Sequence, residues 1–158
     1  MNRVGIGYDS HRFEAGRPLI LGGVTIPHSA GLVGHSDADA VCHALTDALL
    51  GAANAGDIGQ HFSDRDPRWQ GADSILLLSQ ACRIIEARGF RPIQADITVI
   101  AQSPVLAPFT RAMATRLADA VGLTDADISI KAKTNEGMGF VGREEGIAVI
   151  AVAQVAPL

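Results

Sequence analysis

The stretch IAVIAVAQV at residues 147–155 contains no charged side chain and a single polar one, Gln154. A strand of that composition is expected to be buried on both faces, so it demands partner strands beside it and cover above and below. Residues 3–13 offer one partner, with Val4, Ile6 and Tyr8 alternating against Gly5, Gly7, Asp9 and His11. The second of those sides starts small and ends polar. A further strand is predicted over 18–26, PLILGGVTI, kinked at its Gly-Gly pair and stopped by Pro27, which cannot donate to a ladder. In 93–101, Ile93, Ala95, Ile97 and Val99 alternate with Gln94, Asp96, Thr98 and Ile100, and residues 128–134 make another strand.

Ser36 followed three residues later by Asp39 is a capping-box-like start for a helix whose apolar stripe is Val41, Ala44, Leu45, Ala48, Leu49 and Ala52. His43 lies off this stripe, on a face shared with Asp39 and Asp47. A second helix over Ser74–Arg88 stops at Gly89, where a left-handed cap costs glycine little, and a third runs from Pro108 to Val121 with Gly122 as its stop. Between the first two, residues 55–73 form a loop rich in Gly, Asp and Pro, and loops of that length more often bind or catalyse than merely connect. No linker, repeat or low-complexity block divides the chain. Residues 1–158 therefore read as a single α+β domain, a mixed four-stranded-type sheet with helices packed on one face.

Composition removes several classes of protein. With 47% hydrophobic and 19% charged residues, the 158-residue chain resembles ordinary globular proteins and can build a substantial core. A formal net charge of −4 without any basic block excludes generic nucleic-acid binding, while a local patch could still take a small anion. Cys42 and Cys82 fall in apolar helix-like stretches, which suggests neither a disulfide framework nor a Cys-rich zinc module and fits a reducing compartment. The absence of a signal-type apolar run and of any stretch of eighteen apolar residues predicts a cytoplasmic chain without membrane contact.

Asp9 and His11, two apart on a strand, present a carboxylate and an imidazole on one side, which is part of a zinc shell. His43 offers a third ligand and would leave one position open, as catalytic zinc sites do. Taken singly, each has a plainer reading: a satisfied polar pair for Asp9 and His11, a helix-surface imidazole beside Asp39 or Asp47 for His43. Should His43 hold metal, those two carboxylates become candidates to orient its ring. His35 and Ser36 precede the first helix, where free N–H groups and the helix dipole favour a phosphate; alternatively Ser36 simply caps. Asp57, Asp64 and Asp66 are turn residues that could also meet hydroxyls or metal. Lys131 and Lys133 share a strand side with Ser129 and lead into Thr134, Asn135, Glu136 and Arg143 among glycines. That region reads as a phosphate and cation clamp, with Glu136 as an oxygen ligand for a magnesium-type ion, or as a polar hairpin. It matches neither the Walker loop nor the Rossmann fingerprint.

Taken together, GYDSHRF at 7–13, LGGVTIPHSAGLVGHSDADAVCHALTDALLGAANAGDIGQHFSDRDP at 21–67, DITVIAQSPVLAP at 96–108 and KAKTNEGMGFVGREEGIA at 131–148 resemble the 2-C-methyl-D-erythritol 2,4-cyclodiphosphate synthase family over nearly the whole chain. The resemblance implies that Asp9, His11 and His43 ligate zinc or another divalent cation, and that Glu136 goes with a magnesium or manganese ion at the substrate diphosphate. It implies transition-state roles for His35 and Thr134, with Ser36 beside them at the diphosphate. Asp57, Ile58 and Gly59 match ribose and methylerythritol contacts, and Phe62, Ser63, Asp64, Arg65 and Asp66 match a loop closing over the erythritol phosphate. Ala101, Gln102, Ser103, Pro104, Val105, Leu106 and Ala107, with Ala132, Lys133 and Thr134, match the cytidine pocket, and Asn135 counts with these contacts. Phe140 and Arg143 match positions near substrate and subunit interface. Val105 stands where several relatives carry lysine, and Lys133 and Asn135 where others carry threonine, which touches individual contacts more than the activity.

The implied assembly is a homotrimer with active sites between subunits. The implied reaction is that of a phosphorus–oxygen lyase of the non-mevalonate isoprenoid pathway: 4-diphosphocytidyl-2-C-methyl-D-erythritol 2-phosphate cyclises and CMP leaves. The length leaves no room for the fused cytidylyltransferase domain found in some relatives. Two rival readings use the same residues: a zinc-dependent phosphohydrolase that activates water, and a non-catalytic trimeric ligand-binding protein.

Overall fold

A computed structural model describes all 158 residues. In chain order the elements are β1 (Arg3–Ala15), β2 (Leu19–Leu21), β3 (Val24–Ile26), β4 (Ala30–Leu32), α1 (Ala40–Ala52), α2 (Ile58–His61), α3 (Ser74–Ala87), β5 (Phe90–Ile100), α4 (Thr110–Val121), β6 (Ile128–Lys133), α5 (Gly139–Gly142) and β7 (Gly146–Pro157). The main sheet has five strands in the order β4-β1-β7-β5-β6, so the apolar β7 lies at its centre. It runs antiparallel to β1 and β5, with Ile150 opposite both Tyr8 and Thr98. The pair β5 and β6 is parallel, which requires a crossover, and α4 supplies it.

Helix α1 lies over β1 and β7, α3 against α1 and β5, and α4 against β6 and α3. The small residues of β1 explain how closely α1 approaches. A Cβ on Gly7 would fall 1.9 Å from the Ala44 carbonyl oxygen, and one on Gly5 2.0 Å from that of Ala48. Only a strand without side chains at both positions can let a helix backbone come that near. Beneath the helices, Ile147, Val149, Ala151, Ala153 and Val155 of β7 join Ala95, Ile97 and Val99 of β5 in one core.

The opposite face corrects the expectation that 147–155 is buried on both sides. Ile150 and Val152 are 37% and 39% exposed, and beside them on β1 Ile6 is 70% exposed and Val4 and Tyr8 also face outward. One chain thus carries an apolar band across an uncovered sheet face. Other boundaries also differ from the sequence reading. The main sheet has five strands instead of a four-stranded type, because Ala30–Leu32 adds a short edge strand beside Phe13–Ala15. Residues 18–26 form a separate hairpin, β2 to β3, turned by Gly22 and Gly23 at φ 57° and 71°.

Helix α1 starts at Ala40, not at Ser36. Its N-cap is Asp39, whose fully buried carboxylate accepts from the N–H groups of Cys42 (3.1 Å), Gly22 (2.8 Å) and Gly23 (2.7 Å). One side chain therefore caps the helix and anchors the hairpin turn. Burial pushes this carboxyl above its ordinary value, while the three N–H donors work against that rise. The stops at Gly89 and Gly122 fall as predicted, both residues adopting positive φ, and Pro108 occupies a 3-10 turn just before α4. Cys42 and Cys82 are unpaired, and no helix is long and apolar enough to cross a membrane.

Candidate functional site

The face of β1 that carries Gly5 and Gly7 continues with Asp9 and His11, beyond the point where Ala44 touches the strand. His43 is the neighbour of Ala44 in α1, so the close packing that the glycines permit delivers His43 to those two side chains. Asp9 Oδ2 lies 2.8 Å from His11 Nε2 and 3.1 Å from His43 Nδ1, and the two imidazole nitrogens are 3.2 Å apart. Donors around a tetrahedral zinc with bonds near 2.0–2.1 Å stand about 3.3 Å from each other. The three groups together, one oxygen and two nitrogens, fit a divalent cation in composition and in spacing.

His11 is held for this task by its other nitrogen. Its Nδ1–H donates to the Val33 carbonyl at 2.7 Å, which leaves Nε2 facing the cluster. Burial pushes the His11 imidazole down, but the hydrogen bond and charge of Asp9 outweigh it and leave the group raised. Burial likewise pushes Asp9 up, and the hydrogen bonds from His11 and His43 reverse this and leave it lowered. The two groups therefore stabilise each other's charged forms when no metal is bound.

The cluster forms one wall of a cavity of about 410 Å³, which His35, Ser36, Asp47, Ile58, Gly59, Phe62 and Asp64 also line together with Gly34, Trp69 and Leu77. Asp47 accepts the Ile58 N–H at 2.7 Å and so docks α2 onto α1. Asp57 caps α2 by accepting from the Gln60 N–H at 2.9 Å. His35 Nε2–H donates to the Asp66 carbonyl at 2.9 Å, which ties the loop after α2 to the segment before α1. Phe62 packs edge-on against Trp69 with ring centroids 5.3 Å apart. Ser63 accepts the Arg65 N–H at 3.2 Å, and the Asp66 carboxylate is engaged by Arg68.

Two sequence-based assignments fail here. Asp39 does not flank His43, because its carboxylate turns inward to the hairpin. Ser36 does not cap α1; its Oγ stands 3.0 Å from His43 Nε2. Beside Ser36, the groups on the far side of His43, Ser74 and behind it Asp37, were not singled out from the sequence. Ser74 Oγ lies 2.9 Å from the same Nε2 and hydrogen-bonds Asp37. Both are polar residues at turns and helix starts, and nothing in their spacing relates either to position 43.

Ala101, Gln102, Pro104, Val105, Leu106 and Ala107 face Ala132, Lys133 and Thr134 around a second cavity of about 150 Å³. Ser103 lies in the same loop without lining it. Within one chain the two cavities share no lining residue. Glu136 is exposed at φ 53° in the loop after β6, apart from the Asp9, His11 and His43 cluster. That loop is pinned by Asn135 Nδ2–H donating to the Met138 carbonyl and by Gly137 N–H donating to Gln102 Oε1 at 3.1 Å. Lys131 is paired with Asp96 on the uncovered sheet face. Phe140 is partly exposed beside Ser10, His11 and Arg12, and Arg143 pairs with Glu145 at 3.2 Å.

A sequence model of the YgbB family matches residues 2–156. The chain is 56% identical over 154 residues to a 2-C-methyl-D-erythritol 2,4-cyclodiphosphate synthase of Bordetella petrii, covering 98% of this chain and 95% of that one. It superposes on the bifunctional IspDF of Campylobacter jejuni with a TM-score of 0.96 at 43% identity, covering all of this chain but 43% of that longer one. On a 2C-methyl-D-erythritol-2,4-cyclodiphosphate synthase solved in its CDP-bound form the TM-score is 0.89 at 42% identity, over 98% of this chain and 100% of the other.

Proposed function

The chain belongs to the YgbB family, and from that membership we propose that it converts 4-diphosphocytidyl-2-C-methyl-D-erythritol 2-phosphate to 2-C-methyl-D-erythritol 2,4-cyclodiphosphate, releasing CMP. The observation that carries the reading is the convergence of Asp9, His11 and His43 on one wall of a cavity large enough for a phosphorylated polyol.

The substrate brings its own nucleophile. Its 2-phosphate attacks the β-phosphorus of the diphosphate, the bond from that phosphorus to the bridging oxygen breaks, and the electron pair leaves with CMP. A phosphate monoester is already anionic at neutral pH, so no side chain has to remove a proton. The barrier lies in bringing two anions together and closing an eight-membered ring. Zinc on Asp9, His11 and His43, with magnesium or manganese beside Glu136, supplies when bound the positive charge that offsets this repulsion at the phosphoryl oxygens.

The protein's own groups then position and enclose. His35, fixed through Asp66, and Ser36 are assigned to the diphosphate side of the cavity, and His35 and Thr134 to stabilising the charge that develops during transfer. Ile58 and Gly59, presented by the Asp57-capped turn, are assigned to the ribose and methylerythritol. Phe62 to Asp66 would close over the erythritol phosphate, with Phe62 seated on Trp69. The second cavity is assigned to cytosine, where loop backbone in 101–107 supplies much of the recognition despite Val105, Lys133 and Asn135.

A substrate with a nucleotide at one end and a phosphorylated polyol at the other needs both cavities. We therefore place the active site between subunits of a homotrimer whose contact surface includes the apolar band of Val4, Ile6, Tyr8, Ile150 and Val152. Incubating the purified chain with the diphosphocytidyl substrate, zinc and magnesium should give CMP and a cyclic diphosphate by phosphorus NMR. A linear product with an extra phosphate monoester end would replace this reading by a hydrolase. Binding without turnover would leave a ligand-binding protein.

A further inference from the structure

Ser74 stands at the start of α3 with its side chain fully buried. Its hydroxyl hydrogen-bonds the carboxylate of Asp37, which also accepts the backbone N–H groups of Ser74 at 3.0 Å and Asp39 at 3.1 Å. A carboxylate accepts only, so the one proton of the Ser74 hydroxyl points to Asp37. Ser74 Oγ can then meet His43 Nε2, 2.9 Å away, only as an acceptor. Nε2 must carry a ring proton, and Nδ1 is the nitrogen turned to Asp9 Oδ2 and His11 Nε2.

The two imidazoles of the cluster thus present opposite nitrogens, each fixed from behind. For His11 the fixing acceptor is the Val33 carbonyl, which has no other option. For His43 it is a hydroxyl, which could equally donate; what denies it that choice is Asp37. With the hydroxyl reversed, its proton would face Nε2 and drive the ring proton to Nδ1, where the ion must bind. Ser36 Oγ, 3.0 Å from Nε2 and 3.3 Å from Ser74 Oγ, has no comparable carboxylate and sets no direction.

We propose that Ser74 and Asp37 form a relay that fixes the tautomer and ring orientation of His43, with Ser74 as the positioning residue and Asp37 as the group that sets the sense of its hydrogen bond. The inference rests on the metal reading of Asp9, His11 and His43 given above. Partners behind metal-bound histidines raise affinity by about 10- to 100-fold in comparable sites.

The test is a double-mutant cycle on Zn2+ affinity, measured by chelator competition with the full chain, alongside urea unfolding of each variant. Ser74→Ala should weaken Zn2+ binding about tenfold, because Ser36 still accepts from Nε2. Asp37→Asn is nearly isosteric, yet it should weaken binding more, because its amide can donate to Ser74 and reverse the hydroxyl. In the Ser74→Ala background Asp37→Asn should change affinity little, since no hydroxyl is left to reverse. A second readout is the His43 Nε2–H proton in the zinc-loaded protein, which should exchange with water faster in Ser74→Ala than in the wild type. Wild-type affinity in both single variants, or effects that simply add, would overturn the relay. His43→Ala separates the two levels: if it binds Zn2+ as the wild type does, the metal reading falls and the relay with it. If His43→Ala loses the ion while Ser74→Ala and Asp37→Asn keep it, only the relay falls.

Discussion

A methyl group at Gly7 would test whether the close seating of α1 on β1 is what assembles the site. In Gly7→Ala the added carbon meets the Ala44 carbonyl oxygen at 1.9 Å and the Ala48 nitrogen at 2.9 Å, all backbone atoms that cannot rotate away. To restore an ordinary contact of 3.4 Å, the helix must retreat by about 1.5 Å, an overpacking displacement that costs ~1–3 kcal/mol. At a urea dependence of ~2 kcal/mol per molar, the unfolding midpoint should fall by about 0.5–1.5 M. The same displacement opens the contacts of 3.1 Å and 3.2 Å from His43 to Asp9 and His11, because His43 precedes Ala44 directly. Misplacement on the order of 1 Å commonly costs about 10²-fold in function, so Zn2+ affinity and turnover should both drop steeply. Gly51→Ala on the same helix is the control: nothing lies within 4 Å of its added carbon. It should stabilise by ~0.5–1 kcal/mol without touching the metal site. If Gly7→Ala unfolds at the wild-type midpoint and binds added Zn2+ as the wild type does, the packing account is wrong.

Asp39→Ala leaves the N–H groups of Gly22, Gly23 and Cys42 without their acceptor and should destabilise by ~3–5 kcal/mol in urea titration; a loss under ~1 kcal/mol would mean those amides find water instead. Ile6→Glu puts a charge into the exposed apolar band and should convert the proposed trimer to monomers in light scattering, with activity lost in parallel; an active monomer, or a wild type that is itself monomeric, would remove the proposed intersubunit site. The mutual support of Asp9 and His11 makes the metal-free protein pH-sensitive. The raised His11 contributes stability fully present below pH 6.5 and lost as pH climbs through its folded value, and the lowered Asp9 one present above 3.8 and lost as pH falls through its own. The thermal margin of metal-free wild type over Asp9→Asn should therefore be widest between pH 3.8 and 6.5 and shrink toward alkaline pH; a margin that keeps growing above pH 6.5 contradicts the pairing.

The alternation in residues 3–13 already held much of the site, because strand geometry alone puts Asp9 and His11 on the side of the two glycines. Why that side begins with glycine became clear only with α1 in place. Helix interiors and the glycine stops at Gly89 and Gly122 were readable for the same local reasons. What escaped the sequence depends on distant partners. Ser36 and Asp39 are both competent caps, and the choice fell to Asp39 because the hairpin turn brought it two further donors. Ser74 meets His43 only because α3 packs on α1. A three-residue edge strand at Ala30–Leu32 is too short to show a period. The composition of β7 led to an expectation of cover on two sides, and the chain covers only one of them, leaving Ile150 and Val152 exposed.

The bond between Asp39 and the Gly22–Gly23 turn gives the molecule a built-in reporter. Turn amides ordinarily swap their hydrogens with solvent within moments, but these two can do so only when the carboxylate releases them and the first turn of α1 loosens as well. Their deuterium uptake would thus time the fluctuations of the segment that carries His43, read from a hairpin that takes no part in the chemistry.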